Sequence, residues 1–168
     1  MKVKISGYPN YHYWLDRLFG WNPKQKISVR IDDHDTWSMD HTLAPIIHPM
    51  LVQLKATKHG APMVDMLDVP KELRMTKKQL DACAKTGDVD HKHFERWDWV
   101  LDEMLWAFEQ KCRDDWQDDF YGPYIEDPKN GPMAGSFEWI DHDGMKAHQT
   151  RMTNGFKLFG KYYENLWD

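Results

Sequence analysis

The chain has little cysteine, no long apolar run and no excess of positive charge, and each shortage removes a class of protein. Only two of its 168 residues are cysteines, Cys83 and Cys112, and neither sits in a CxxC or CxH spacing. A disulfide scaffold and a thiolate zinc site are thereby disfavoured, and both thiols are expected to be reduced. No stretch approaches the ~20 apolar residues of a membrane span, and the opening MKVKISGYPN lacks the apolar core of a signal peptide. The sequence therefore predicts a protein of the cytoplasm with no membrane partner. Net charge is −5, spread unevenly: residues 1–30 hold six Lys/Arg against one acid, and the remainder holds 16 against 26. Duplex binding needs many cations converging on phosphates, so nucleic acid is a disfavoured partner.

Familiar catalytic signatures are missing as well. H-E-x-x-H, G-x-G-x-x-G, G-x-S-x-G and a di-iron Glu-x-x-His pair do not occur. Gly155 to Gly160-Lys161 has the spacing of a P-loop. Tyr162, however, stands where Ser or Thr would hold magnesium, and no strand precedes it.

What the chain does have is aromatic bulk, with nine Trp, seven Tyr and seven Phe. At this length one domain, 1–168, with one aromatic core is expected. Val3 and Ile5, then Ile27, Val29 and Ile31, alternate with polar residues and predict paired, half-buried strands near 2–6 and 27–32, with a third strand over 136–140. Between the first two, Trp14, Leu15, Leu18 and Phe19 suit a short helix closed by Gly20 and Pro23. Three longer helices are predicted near 39–58, 91–113 and 142–166. The first carries the stripe Leu43, Ile46, Ile47, Met50, Leu51, Leu54, with Pro45 and Pro49 expected to kink or break it. The second carries Phe94, Trp97, Leu101, Met104 and Phe108. The third carries Met145, Met152, Phe156, Phe159, Tyr163 and Leu166, with Gly155 and Gly160 placed where another backbone would pack close. A shorter helix from 77 to 85 is signalled by the T-x-x-Q capping box Thr76–Gln79 and stopped by Gly87. The fold class is α+β, mainly α.

Candidate chemistry gathers at few places. Asp32, Asp33 and Asp35 with His34, followed by Asp40 and His41, sit where a strand runs into a helix. Carboxylates with imidazoles can hold Mg, Mn or Zn, and strand parity would turn Asp33 inward. His41 and His48 share a helical face two turns apart and could line one wall of a pocket. Glu95, Asp98, Asp102 and Glu109 form an acidic stripe on the long helix whose neighbours could converge on a divalent cation. Glu95-x-x-Asp98 resembles half the signature of the all-helical nucleotide pyrophosphohydrolases; the other half, E-E-x-x-E, is absent. His34-Asp35-Thr36 and His148-Gln149-Thr150 are H-x-T triplets similar to those of the 2H phosphoesterases, although His148 lies in a helical pattern. A second pocket set is His34, His48, Glu95, His148 and Arg151, for a small ligand or partner. Finally, Tyr121-Gly122-Pro123-Tyr124 in a Pro/Gly-dense loop, with the acidic run DDWQDD before it, suits a protein-binding surface.

Three blocks, DTWSMDHTLAPIIHPMLVQLKATKHG, RWDWVLDEMLWAFEQ and NGFKLFGKYYENLWD, resemble a group of small uncharacterised proteins encoded by tailed bacteriophages. The resemblance implies a phage accessory protein acting in the cytoplasm of the infected host. The expectation is a non-enzymatic binder of a host or phage protein, or of a small ligand. The alternatives are a metal-dependent hydrolase of a nucleotide or phosphoester built on the Asp32–His41 cluster, and a virion component, which self-assembly into a homo-oligomer would mark.

Overall fold

A computed structural model describes residues 2–5, 27–127, 129 and 134–167. The helix expected around Trp14–Phe19 lies outside them. The chain packs as two compact units, Met1–Thr42 and Leu43–Asp168.

In the first unit, β1 (Lys2–Ile5) and β2 (Ile27–Arg30) pair antiparallel, with Val3 opposite Val29 and Ile5 opposite Ile27. Alternation thus located both strands. It misplaced one face, because Ile27, Val29 and Ile31 are exposed. A two-stranded ribbon has two faces to cover, and the β2 side chains on this one stay in contact with water. A 3₁₀ turn, Asp33–Thr36, follows.

Four α-helices lie among the described residues, two small antiparallel sheets accompany them, and the class is α+β, mainly α. Helix α1 (Met39–Thr57) runs unbroken through Pro45 and Pro49. Both proline rings stand on the exposed side, where water can serve the carbonyl one turn earlier, so the expected break does not occur. Helix α2 (Lys77–Thr86) starts at its capping box, Gln79 Oε1 accepting from the Thr76 amide at 2.9 Å, and ends at Gly87 with φ 75°. Helix α3 (His93–Cys112) buries Trp97, Val100, Leu101, Met104 and Phe108, while Phe94 points outward.

Helix α4 (His142–Lys161) lies along α3, and Gly155 sets how closely. A Cβ there would stand 2.4 Å from the Ala107 methyl and 2.5 Å from the Glu103 carbonyl, so only glycine fits. Gly160 faces open space and has no such neighbour. Seating the helix on Gly155 turns Met152, Leu158 and Tyr162 into the core and leaves Tyr163 exposed. Of the expected stripe, Met152 is buried and Met145, Phe156, Phe159 and Leu166 pack against the core, and Tyr163 is the member left outside. Ala44 and Leu51 of α1, with Val64 and Val69 of the loop after it, complete this core.

Ion pairs border it. Lys58 meets Asp98 at 2.6 Å, Lys55 meets Asp102, and Arg151 grips Glu103 at 2.8 Å. Tyr162 reaches back to the 61–70 loop, donating to Asp68 at 2.6 Å and accepting from the Asp65 amide at 2.9 Å, while Lys161 bridges both carboxylates. Burial, then the Asp68 bond, pushes the Tyr162 hydroxyl up to about 12. Deepest is Arg96, 1% exposed, bonded to Asp90 and to the Leu73 carbonyl.

The third strand overlaps the expected stretch but joins a different sheet. β4 (Gly135–Phe137) pairs with β3 (Tyr124–Glu126), a strand inside the segment whose Pro and Gly content predicts a loop. There are two separate hairpin-like sheets among the described residues, not one.

Candidate functional site

The residues singled out for metal chemistry are distributed as follows. Asp33 is exposed at the start of the 3₁₀ turn and not turned inward. The Asp35 carboxylate accepts from the Asp32 amide at 2.8 Å, closing a capping box, and Asp32 lies 3.7 Å from Arg30. His34 packs against Trp37 with ring centres 4.5 Å apart. His41 is exposed and His48 half-buried on α1. Asp98 is occupied by Lys58, just past α1, and Asp102 by Lys55 of α1, and Glu95 is exposed. Among the described residues no three His, Cys, Asp or Glu side chains gather as they would around a metal ion.

Two of the expected pocket residues do come together. His148 and Arg151 lie one turn apart on α4 and share the Trp106 indole, Arg151 at 4.0 Å from its centre and the His148 ring at 4.8 Å. Trp116 stacks on His148, 4.6 Å away and 6° from parallel, and Phe120 meets it edge-on at 5.4 Å. His148 Nε2 lies 3.1 Å from Gln110 Oε1. An amide oxygen only accepts, so Nε2 carries the proton and Nδ1 is left as an acceptor, buried and without a partner. Burial depresses the imidazole below its ordinary 6.5; Arg113 and Arg151 add to this, and Asp119 opposes it.

This box is the footing of the second sheet. Past α3, Arg113 clamps the acidic run, meeting Asp115 at 3.1 Å and both Asp119 oxygens at 2.9 and 3.1 Å. That fixes the 3₁₀ turn Trp116–Phe120, whose Trp116 is buried with Ala107 and Met152. The Phe120 carbonyl takes the Asp141 amide at 2.9 Å, and the Asp141 carboxylate caps α4 at Gly144, 2.8 Å away. Both ends of the hairpin are thereby tied to one helix terminus.

Above the footing, the ladder continues from β3–β4 through Glu138 amide to Pro123 carbonyl and Gly122 amide to Trp139 carbonyl, each 2.9 Å, to the Tyr121–Ile140 bridge. Alternation puts Tyr124, Glu126, Phe137 and Trp139 on one face. Two glycines on that face seat the rings. A Cβ at Gly122 would strike the Trp139 indole at 2.6 Å, and one at Gly135 would strike the Tyr124 ring at 2.5 Å. Phe137 packs against Tyr121 and Tyr124, with ring centres 4.5 Å and 5.5 Å away. Covering a ladder glycine with a cross-strand ring is a recognised way of stabilising a strand pair. It also holds each ring still with one surface toward solvent: Tyr124 is 49% exposed and Trp139 51%. Sequence reasoning found Tyr121–Tyr124 but not Phe137 or Trp139; the signal available was Gly122 and Gly135 spaced to oppose aromatics across a hairpin.

Comparison with known proteins finds no match: no family model, no curated protein and no solved structure aligns with the chain.

Proposed function

We propose that the chain is a non-enzymatic binding protein, a phage accessory product acting in an infected bacterium, and that its partner, a protein, seats on the 121–140 hairpin. One observation carries this reading. Three large side chains, Tyr124, Phe137 and Trp139, stand exposed on one face of a single hairpin whose base is locked to α4. Apolar surface gathered in one place and rimmed by polar groups marks interaction sites, and rigid aromatics lose little entropy on binding. A metal-dependent hydrolase would need its carboxylates gathered and available, and Asp98 and Asp102 are instead engaged by Lys58 and Lys55.

The test is site-specific photocrosslinking in cells that produce the chain. A benzoylphenylalanine at position 139 should yield one discrete crosslinked protein that is lost in a Tyr124→Ser background. The same probe at Trp37, which is 79% exposed, should yield none of it. Identical products from both positions would overturn the assignment.

A further inference from the structure

We propose that His148 is an acid-sensitive latch: a second ring proton, which its surroundings leave without an acceptor, frees the Trp116–Phe120 turn from α4 and undocks the hairpin that stands on it. That undocking also releases a partner rests on the binding role assigned to the hairpin; the latch itself does not.

Both rings of the turn rest on the imidazole, Trp116 in parallel at 4.6 Å and Phe120 edge-on at 5.4 Å. The Nε2 proton is spent on Gln110, and Nδ1 is enclosed with no partner. A proton added at Nδ1 makes the ring a cation with an N–H that has nowhere to donate. A ring lying parallel can attract that cation but takes no hydrogen bond from its edge. Charged neighbours do not supply the missing acceptor. The turn contributes Asp119, the end of α3 contributes Arg113 and α4 itself Arg151, the first favouring the proton and the other two opposing it. Both Asp119 oxygens are held by Arg113, and both Glu103 oxygens by Arg151. Release of the turn lets water reach Nδ1, so acid favours the open form.

The opening stays local because the interior is divided. Trp116 packs with Ala107 and Met152 in a small cluster, apart from the larger one that contains Leu51, Trp97 and Tyr162. Besides its ring contacts, the turn is held by the exposed ion pairs of Arg113 and by the Phe120 carbonyl on the Asp141 amide. Attachments of that kind open at a free energy below that of global unfolding. Asp141 both follows the hairpin and caps α4, so losing its bond to Phe120 cuts the hairpin's base.

Amide hydrogen exchange on the full chain, read residue by residue by NMR and corrected for the intrinsic pH dependence of exchange, tests the latch. One proton taken up on opening raises the opening constant by up to about tenfold per pH unit below about 6.5, until the closed ring itself titrates. The Asp141 and Gly122 amides should show that rise, and the Leu101 amide in the middle of α3 should not. His148→Gln should flatten it. Gln110→Glu, which hands the imidazolium a carboxylate at Nε2, should reverse it, and it keeps the test decisive if the first variant fails to fold. A rise shared by Leu101, a rise unchanged in His148→Gln, or flat Asp141 and Gly122 amides would overturn the proposal. The position-139 crosslink, repeated in lysate at about pH 7.5 and about pH 5.5, separates the two readings. It should fade in acid and persist in His148→Gln; a crosslink undiminished beside an open turn overturns the undocking. No crosslink at either pH removes the binding role and leaves the latch to be judged on exchange alone.

Discussion

The helical core of the larger unit and its hairpin are built from the same residue types, tryptophan, aspartate and glutamate, and use them in opposite ways. Along α3 Asp98 is answered by Lys58, Asp102 by Lys55 and Glu103 by Arg151, and just before it Asp90 is answered by Arg96. Trp97 there is wholly enclosed, its ring edge-on to Tyr162 at 5.6 Å. On the hairpin Glu126 and Glu138 face water and Trp139 is half open. Satisfied groups hold a fold together, whereas groups fixed in place but unsatisfied are available to something else.

The contrast can be broken most forcefully at Arg96. Its side chain is 2% exposed and that of Asp90 10%, so removing either leaves a buried charge alone. Asp90→Ala should lose about 3 to 5 kcal/mol in urea unfolding. Gly155→Ala should cost about 1 to 3 kcal/mol through overpacking against Ala107 and Glu103. Gly160→Ala, with nothing nearby, should be neutral or stabilise by up to about 1 kcal/mol. Equal effects at the two glycines would mean that α3 and α4 do not meet as described.

The pH dependence sharpens the comparison where core meets hairpin. His148 is held below 6.5, so the unfolded chain binds its proton more readily than the folded one. The stabilisation from its neutral form is complete above about pH 6.5 and fades as pH falls through the lower folded value. Melting temperature should therefore drop on acidification below that point, and less steeply in His148→Gln. A variant with the same slope as the parent would show that His148 is not the group responsible. The smallest effect should come from Trp139→Ala, which ought to shift stability by under about 1 kcal/mol while weakening the hold on the partner protein. A loss as large as at Asp90 would make the hairpin a structural element instead of a docking face.

Much of this was legible in the residues, and the failures are instructive. Helix α3 follows from its 3–4 stripe and α2 from Thr76–Gln79, because both signals are local. The buried pair Asp90–Arg96 was missed since it spans a helix start, where no side-chain spacing rule applies. The face of α4 was read by hydrophobicity, which placed Phe156 against the core correctly but favoured Tyr163 over Tyr162; the close seat at Gly155 was legible only in what that residue lacks. β3 was hidden because Pro and Gly content predicts a loop, and here the glycines serve as seats for rings. For the site, DDWQDD and Tyr121–Tyr124 pointed to the right stretch, while the carboxylates expected to bind metal could not be told from those paired with lysines 40 or more residues earlier.

The hydroxyl of Tyr162 and the loop it fastens, Asp65 and Asp68, are separated by 97 and 94 residues of chain. During synthesis at roughly 5 to 20 residues per second, that loop waits on the order of 5 to 20 seconds before its fastener leaves the ribosome. The Asp65–Asp68 loop must therefore spend that interval without its fastener, and it is in the nascent chain, more than in the finished molecule, that a chaperone would find something to hold.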